Sequence, residues 1–431
     1  MTATNPSPVP VDHRSEQRLS ESGLRYRLVD MDDAADGEAF LRADARGFLD
    51  EEPTDAQVEQ MRATMRLRRN IGVFDEAAGA WPVATVNSWV TPLTVPGGEI
   101  GMWAISSVTV AGTHRRRGIA RSLLEGELRA AHASGAALAG LTASEATIYS
   151  RYGFGAAVPV ARFTVDTARA GWTAASPTEG RVLYIDKQTL ADDLEHLHET
   201  SRAVRSGQVA GWRGRWLRMA GLASGDKDAA AVRGVRFTDA EGVVQGAMAY
   251  TLSELPGAFR SEMRIRSLIT TSDEALRALW QFVVQHDLVT KASVDLRPVD
   301  DPLPWLVADQ RAVTAETHDH GWLRVLDVEG ALTARTYSAS LDVVMRVTDP
   351  LGFAEGGWRV RIDAEGQCSV DETDADHDIS LGVVELSALY AGGVPATQLA
   401  AAGRIDGDAA AVAAFSAAFR TQPAPHLGIW Y

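Results

Sequence analysis

The stretch Ser107–Leu128, SVTVAGTHRRRGIARSLLEGEL, constrains the fold of this chain more than any other. Its first part continues a β-branched, roughly alternating run from Met102, which predicts a strand ending near Val110. From Gly118 onward, Ile119, Leu123, Leu124 and Leu128 recur at helical spacing with polar residues between them, which predicts a helix. The unit is strand, short loop, helix, and the loop carries Arg115-x-x-Gly118-x-Ala120. At such a junction the first helical N–H groups have no intrahelical partner. The macrodipole adds partial positive charge there, so the loop suits a pyrophosphate. Gly118 and Ala120 would let an anion reach the amides, and the arginines could add charge-assisted contacts. A basic helix start facing water explains the loop alone equally well.

Composition narrows the class. The 431 residues suggest about three domains. With 45% hydrophobic residues the chain can bury proper cores. No run of about 18 apolar residues occurs, so no membrane partner is expected. The polar, Pro/Ser-rich start through Ser22 reads as a loose leader rather than a signal peptide, which points to a cytoplasmic protein. Lysine and arginine total 42 against 57 acids, a net charge of −15, which disfavours nucleic acid and suits cationic small molecules. A single cysteine, Cys368, excludes a disulfide framework and multi-cysteine zinc sites. The acidic run Asp371–Asp378 lacks the spacing of a calcium loop and reads as a solvated turn, so no metal is expected.

A Gly/Pro/Thr-rich join, Thr167–Gly180, separates a first block of alternating strands and helices from a second one. The second contains the hairpin GVRFTD–AEG–VVQGAMAYTL, and a third block begins near Gly321 with the strands DVVMRVTD and WRVRIDAEGQCSV. The alternation in the first two blocks predicts α/β or mixed α+β domains.

About thirty residues after the arginine loop, LTASEATIYSRYGFGAAVPVARFTV contains Tyr149-x-x-x-Gly153-Phe154. The two motifs in this order resemble the GCN5-related N-acetyltransferases. VAGTHRRRGIARSLL and ASEATIYSRYGFG narrow the resemblance to the enhanced intracellular survival (Eis) family of bacterial aminoglycoside N-acetyltransferases. The later DISLGVVELSALYAGGVPATQLAAAGRIDGD resembles the sterol-carrier pattern. The resemblance implies tandem GCN5-related acetyltransferase domains followed by a sterol-carrier-like α/β domain. Their bounds are then a flexible leader 1–22, a catalytic domain 23–166, a second acetyltransferase-like domain 167–317 and a C-terminal domain 318–431. It implies acetyl-CoA as co-substrate and a homo-hexamer, a trimer of dimers. The pantetheine arm would pair with Val108, Thr109 and Val110. Phosphates would sit on Arg116, Arg117, Gly118, Ile119, Ala120 and Arg121, with Ser144 and Glu145 lining the end of the next strand. Tyr149 would be the general acid and the terminal carboxylate of Tyr431 the base. The tail HLGIWY ends on an aromatic residue but has Trp430 rather than an acid before it.

In the second domain the helix after EMRIRSLIT should start with a capping box, Thr271 and Glu274. Asp273 and Glu274 would then repel a pyrophosphate, so this domain is expected to bind no acetyl-CoA. The expected reaction is direct transfer of acetyl to an amine of a cationic small molecule, of aminoglycoside or polyamine type, or to lysine side chains. Asp50 and Glu51, in FLDEEP, are candidates for an acidic substrate wall, as they are for a solvated helix end. The alternative is a non-catalytic protein that senses acetyl-CoA or binds an apolar ligand.

Overall fold

The structure is a computed structural model and describes residues 9–173, 179–257 and 259–431. The first eight residues of the expected leader, and residues 174–178 of the expected join, lie outside the described residues. The chain divides into two compact units. One comprises residues 1–157, 321–421 and Tyr431, the other residues 158–320 and 422–430.

In the first unit the elements are α1 (His13–Ser20), β1 (Arg25–Leu28), α2 (Ala34–Gly47), α3 (Asp55–Met65), β2 (Arg69–Phe74), β3 (Ala84–Val95), β4 (Gly98–Val110), α4 (Ile119–Ala133), β5 (Leu138–Thr142) and α5 (Ala146–Tyr149), followed by the start of β6 (Gly155–Asp166). Strands β1 to β4 pair antiparallel in order, and β5 lies parallel to β4. Helix α4 buries Ile119, Leu123, Leu124 and Leu128, the stripe read from the sequence, in a core with Trp103 and Phe154. The expected loose leader is helical over α1. Asp12 caps it by accepting from the Ser15 N–H and also holds Arg129 of α4. Leu19 is buried, and the Ser15 hydroxyl donates to the Ser122 carbonyl. One apolar anchor, a cap and an ion pair order a segment whose composition reads as leader.

The second unit contains most of β6, then α6 (Thr167–Ala170), β7 (Arg181–Ile185), α7 (Lys187–Ser201), α8 (Arg213–Met219), β8 (Arg233–Thr238), β9 (Val244–Glu254), β10 (Ser261–Thr270), α9 (Asp273–Val284), β11 (Val289–Arg297), α10 (Leu303–Leu306) and most of β12 (Val313–Val325). Strands β7 to β10 are antiparallel in order, β11 is parallel to β10, and β6 is antiparallel to β11. This repeats the order of the first unit, four antiparallel strands and then a parallel one. The β8–β9 hairpin turns where the sequence placed it, with Asp239 accepting from the Val243 N–H and Gly242 at φ +84°. Trp280, Leu279 and Val283 of α9 fill the core.

Residues 321–325 of β12 belong to the first unit and pair antiparallel with β5. The chain continues through α11 (Val328–Thr333), β13 (Leu341–Thr348), β14 (Gly356–Ile362), β15 (Cys368–Glu372), β16 (Ile379–Gly382), α12 (Val383–Leu389), α13 (Ala396–Ala401), β17 (Ile405–Gly407) and α14 (Ala409–Phe419). These strands form a sheet in the order β15-β14-β13-β16-β17. Arg324 and Asp349, both fully buried, form a two-pronged ion pair with both contacts at 2.7 Å. No described helix is long and apolar enough to cross a membrane.

Candidate active site

Strands β4 and β5 pair at Met102, Trp103 and Ala104, and there the pairing stops. Beyond it, Ile105–Val110 on one side and Leu141–Thr142 on the other bound a wedge in the sheet. Opposite the wedge, β4 carries a β-bulge. Ser106 faces Asn87 and Thr109 faces Thr85, so Ser107 and Val108 together oppose Val86 alone. Ser107 takes φ +54°, which a non-glycine residue holds only with support. The support is polar and buried. The Ser107 hydroxyl accepts from Asn87 at 2.7 Å and donates to Asp44 of α2 at 3.3 Å, and its carbonyl accepts from the Thr85 hydroxyl at 2.8 Å. Of the residues expected to meet pantetheine, Val108 and Val110 are half-buried, whereas Thr109 turns its hydroxyl onto that of Thr85 at 2.6 Å.

At the end of β4 the loop opens onto α4 through two left-handed residues, Arg116 at φ +64° and Gly118 at φ +76°. Alternation of hand in successive residues aims backbone N–H groups into one concavity. Gly118 is the N-cap and no side chain caps the helix. The Ser122 N–H takes the Gly118 carbonyl, so the preceding amides of Ile119, Ala120 and Arg121 are left to a ligand or to water. Among the described residues, and apart from its chain neighbours, no atom stands within 4 Å of where a Gly118 side chain would begin. Among the described residues Arg116 has no ion-pair or hydrogen-bond partner, whereas Arg117 reaches Asp75 at 3.7 Å and Arg121 holds Glu125 at 2.6 Å. The concavity, uncapped amides and guanidiniums fit a pyrophosphate.

The end of β5 gathers the two expected catalytic groups. The Thr142 hydroxyl donates to a terminal oxygen of Tyr431 at 2.7 Å. The Tyr431 ring meets Trp89 of β3 edge-on at 5.7 Å, and its hydroxyl passes close to Gly140, where a side chain would begin 3.1 Å from it. Two residues beyond Thr142, Ser144 lies beside the Tyr149 hydroxyl. Ser144 and Glu145 are exposed, and Tyr149 is 7% exposed, packed against Phe154 and Trp322. Burial pushes the Tyr149 phenol above its ordinary range. The Ser144 contact opposes that shift and the Glu145 charge adds to it. The positive end of α5 does not lower it. The helix has four residues and Tyr149 closes it, at the negative end of the dipole. Gly153, at φ +87°, lets the Arg324 guanidinium pass beneath the turn and take the Tyr152 carbonyl at 2.7 Å, so the segment carrying Tyr149 rests on a buried ion pair.

Asp50 and Glu51 are exposed in the loop after α2, with Leu49 almost fully exposed beside them. A carboxylate the sequence reading missed lies deeper. Asp44 is buried behind the bulge, and burial pushes it up to about 7. Nothing in DARGF distinguishes it from a helix-surface acid, because the signal is the bulge it supports. Arg68 stacks on Trp89 at 3.6 Å from the ring centre and is driven down to about 10 by burial. Burial raises the Cys368 thiol to about 11, so little of it is thiolate at pH 7.

The residues before Tyr431 belong to the second unit and are held there by two histidines. His426 Nε2 donates to the Leu296 carbonyl at 2.7 Å while Nδ1 accepts from Gln208 at 3.0 Å, and His320 Nε2 donates to the Ile429 carbonyl at 2.8 Å. Burial pushes His426 down to about 3 and His320 to about 4, so both are neutral at pH 7. Helix α9 is capped by Ser272, which accepts from the Ala275 N–H, and not by Thr271. Glu274 forms no capping box because its carboxylate accepts from the Glu179 and Gly180 N–H groups.

Comparison with known proteins places these features. Acetyltransferase (GNAT) domain models match residues 29–157 and 207–325, and a sterol carrier protein domain model matches residues 328–428. The chain is therefore an N-acetyltransferase of the GCN5-related class, which use acetyl-CoA, and the non-catalytic alternative is not favoured. A Streptomyces avermitilis protein named "uncharacterized N-acetyltransferase" is 34% identical over 382 residues, which cover 85% of this chain and 89% of the relative. N-acetyltransferase Eis of Mycobacterium tuberculosis is 31% identical over 319 residues, 73% and 76% of the two chains. The crystal structure of Eis1 from Mycobacterium abscessus superposes with a TM-score of 0.80 at 29% identity, covering 94% of this chain and 100% of that one. The chain belongs to the Eis family.

Proposed function

We propose that the protein transfers acetyl from acetyl-CoA directly to an amine of a cationic small molecule, of aminoglycoside or polyamine type, or to a lysine side chain. The observation that carries this reading is the end of β5, where Thr142 holds the Tyr431 carboxylate and Tyr149 stands just beyond, beside Ser144. The amides of Ile119, Ala120 and Arg121, with Arg116 and Arg117, would hold the pyrophosphate, and the wedge-side backbone of Val108 and Val110 the pantetheine. Acetyl-CoA supplies an activated acyl group. The Tyr431 carboxylate attracts the substrate ammonium and receives, through water, the proton its nitrogen loses on attacking the thioester carbonyl. A terminal carboxylate, with a reference pKa of about 3.5, is too weak a base to strip an amine unaided. As the carbon–sulfur bond breaks, Tyr149 gives its proton to the departing sulfur. Its raised pKa keeps the phenol protonated but makes the transfer steeper than the about 2 kcal/mol that separates an ordinary phenol from a thiol. Asp50 and Glu51 are the proposed acidic wall for a polyamine.

The test follows CoA thiol release with a panel containing an aminoglycoside, a polyamine and a lysine peptide, on the chain ending at Tyr431 and on one extended by several glycines. Amine-dependent turnover that collapses on extension, with acetyl-CoA affinity intact, supports the reading. Equal turnover in both chains removes the terminal carboxylate from the mechanism. The homo-hexamer stands as a proposal of the same resemblance, decided by the particle mass in solution.

A further inference from the structure

The second unit contains a cavity of about 1050 Å³ whose lining includes none of the residues of the Arg116–Arg121 loop or the end of β5. It opens where β10 and β11, paired in parallel only as far as Ile265 and Val294, part company. Its lining has eight lysine and arginine side chains against five aspartates, in a chain whose net charge is −15. Three of those carboxylates are already taken at 2.6–2.7 Å, Asp226 by Arg266, Asp295 by Arg162 and Asp301 by Arg297. Among the described residues Arg215, Arg218 and Arg264 are left without a carboxylate.

Arg218 stands nearly one turn from Arg215 on α8 and raises the cost of the Arg215 charge. Arg215 donates from its Nη2 to the Gly428 carbonyl at 3.0 Å, but among the described residues its buried Nε finds no hydrogen-bond partner. A buried guanidinium donor without an acceptor is costly, and a second cation beside it adds to the cost. Arg218 and Arg264 are exposed, and among the described residues their guanidiniums have no partner. Between the charges the wall is apolar, with Leu268 and Leu276 below and the half-exposed Trp430 ring at the side, set edge-on to His320 at 4.5 Å. The geometry is that of a pocket for an organic body bearing several negative oxygens, which planar guanidiniums grip in pairs. The start of α9 lines the same cavity through Thr271, Ser272 and Asp273. With Ser272 as cap and Asp273 and Glu274 in its first turn it offers no counterpart of the first unit's pyrophosphate loop, so an anion would be held on the Arg215, Arg218 and Arg264 side.

We propose that this cavity is a binding site for a small organic polyanion, phosphorylated or polycarboxylic, held by Arg215, Arg218 and Arg264. The test is calorimetric titration with pyrophosphate and, separately, citrate at low ionic strength. It uses the whole chain with coenzyme A present at saturation, so that the Arg116–Arg121 loop is already filled. The two anions tell the phosphate from the carboxylate source. Expected is saturable binding of at least one anion, weakened about tenfold in the R218Q/R264Q variant, whose exposed positions leave folding undisturbed. Coenzyme A affinity should be the same in both chains. The proposal is overturned if neither anion binds, if both chains bind it equally, or if the variant loses coenzyme A affinity in step.

Discussion

Asp44 offers a quantitative test of how the bulge in β4 is supported. Its carboxyl is pushed up to about 7 by burial, against about 3.9 for an unfolded chain. Between those values the folded state binds more protons than the unfolded one, so stability falls as pH rises through that window and the loss is complete above pH 7. Three units correspond to about 4 kcal/mol, of which roughly 2–3 kcal/mol falls between pH 5 and pH 8. Asp44→Asn has nearly the same shape and can accept from Ser107, but it cannot ionise. Its melting temperature relative to the wild type should rise by several degrees from pH 5 to pH 8, at about 2–4 °C per kcal/mol for a unit this large. Differential scanning fluorimetry across that range reads the shift. A difference that stays flat with pH would mean that Asp44 does not titrate there, and the account of a largely neutral buttress would fail.

Three further outcomes are expected. Tyr149→Phe should cut kcat about 100-fold or more while leaving acetyl-CoA affinity unchanged, since it removes only a proton donor; equal loss in both would make Tyr149 a cofactor contact. Asp349→Asn leaves the buried Arg324 without its counter-charge and should cost about 3–5 kcal/mol, seen as a lower melting temperature, whereas Arg324→Met with Asp349→Leu should recover much of it. His426, held down to about 3, stabilises the tail fully above its unfolded value near 6.5 and progressively less as pH falls, by about 2 kcal/mol at pH 5. His426→Gln cannot take the charge and should flatten the acid limb of the melting profile.

The strand–loop–helix of Met102–Leu128 was legible because its hydrophobic period changes from two to helical within a few residues and the change is marked by glycine. The order of the blocks, the β8–β9 hairpin and the Tyr149 turn were legible for similar local reasons. The helix at His13–Ser20 was not, since its stability comes from Asp12 meeting Arg129, a partner 117 residues away. The cap at Ser272 escaped because Glu274 is drawn off by amides 94 and 95 residues earlier. Asp44, His320 and His426 look ordinary in the sequence, and each acquires its character from burial among distant strands.

The pairing of β5 with residues 321–325 bears on how such a chain can be recombined. A fragment cut at residue 166 would contain both signature motifs and every loop arginine. It would also leave β5 with an open edge, the Tyr152 carbonyl without Arg324, and a void under Gly153. The N-terminal acetyltransferase block is therefore not an exchangeable module. Grafting it onto another scaffold would have to bring the strand from the far side of the sequence with it.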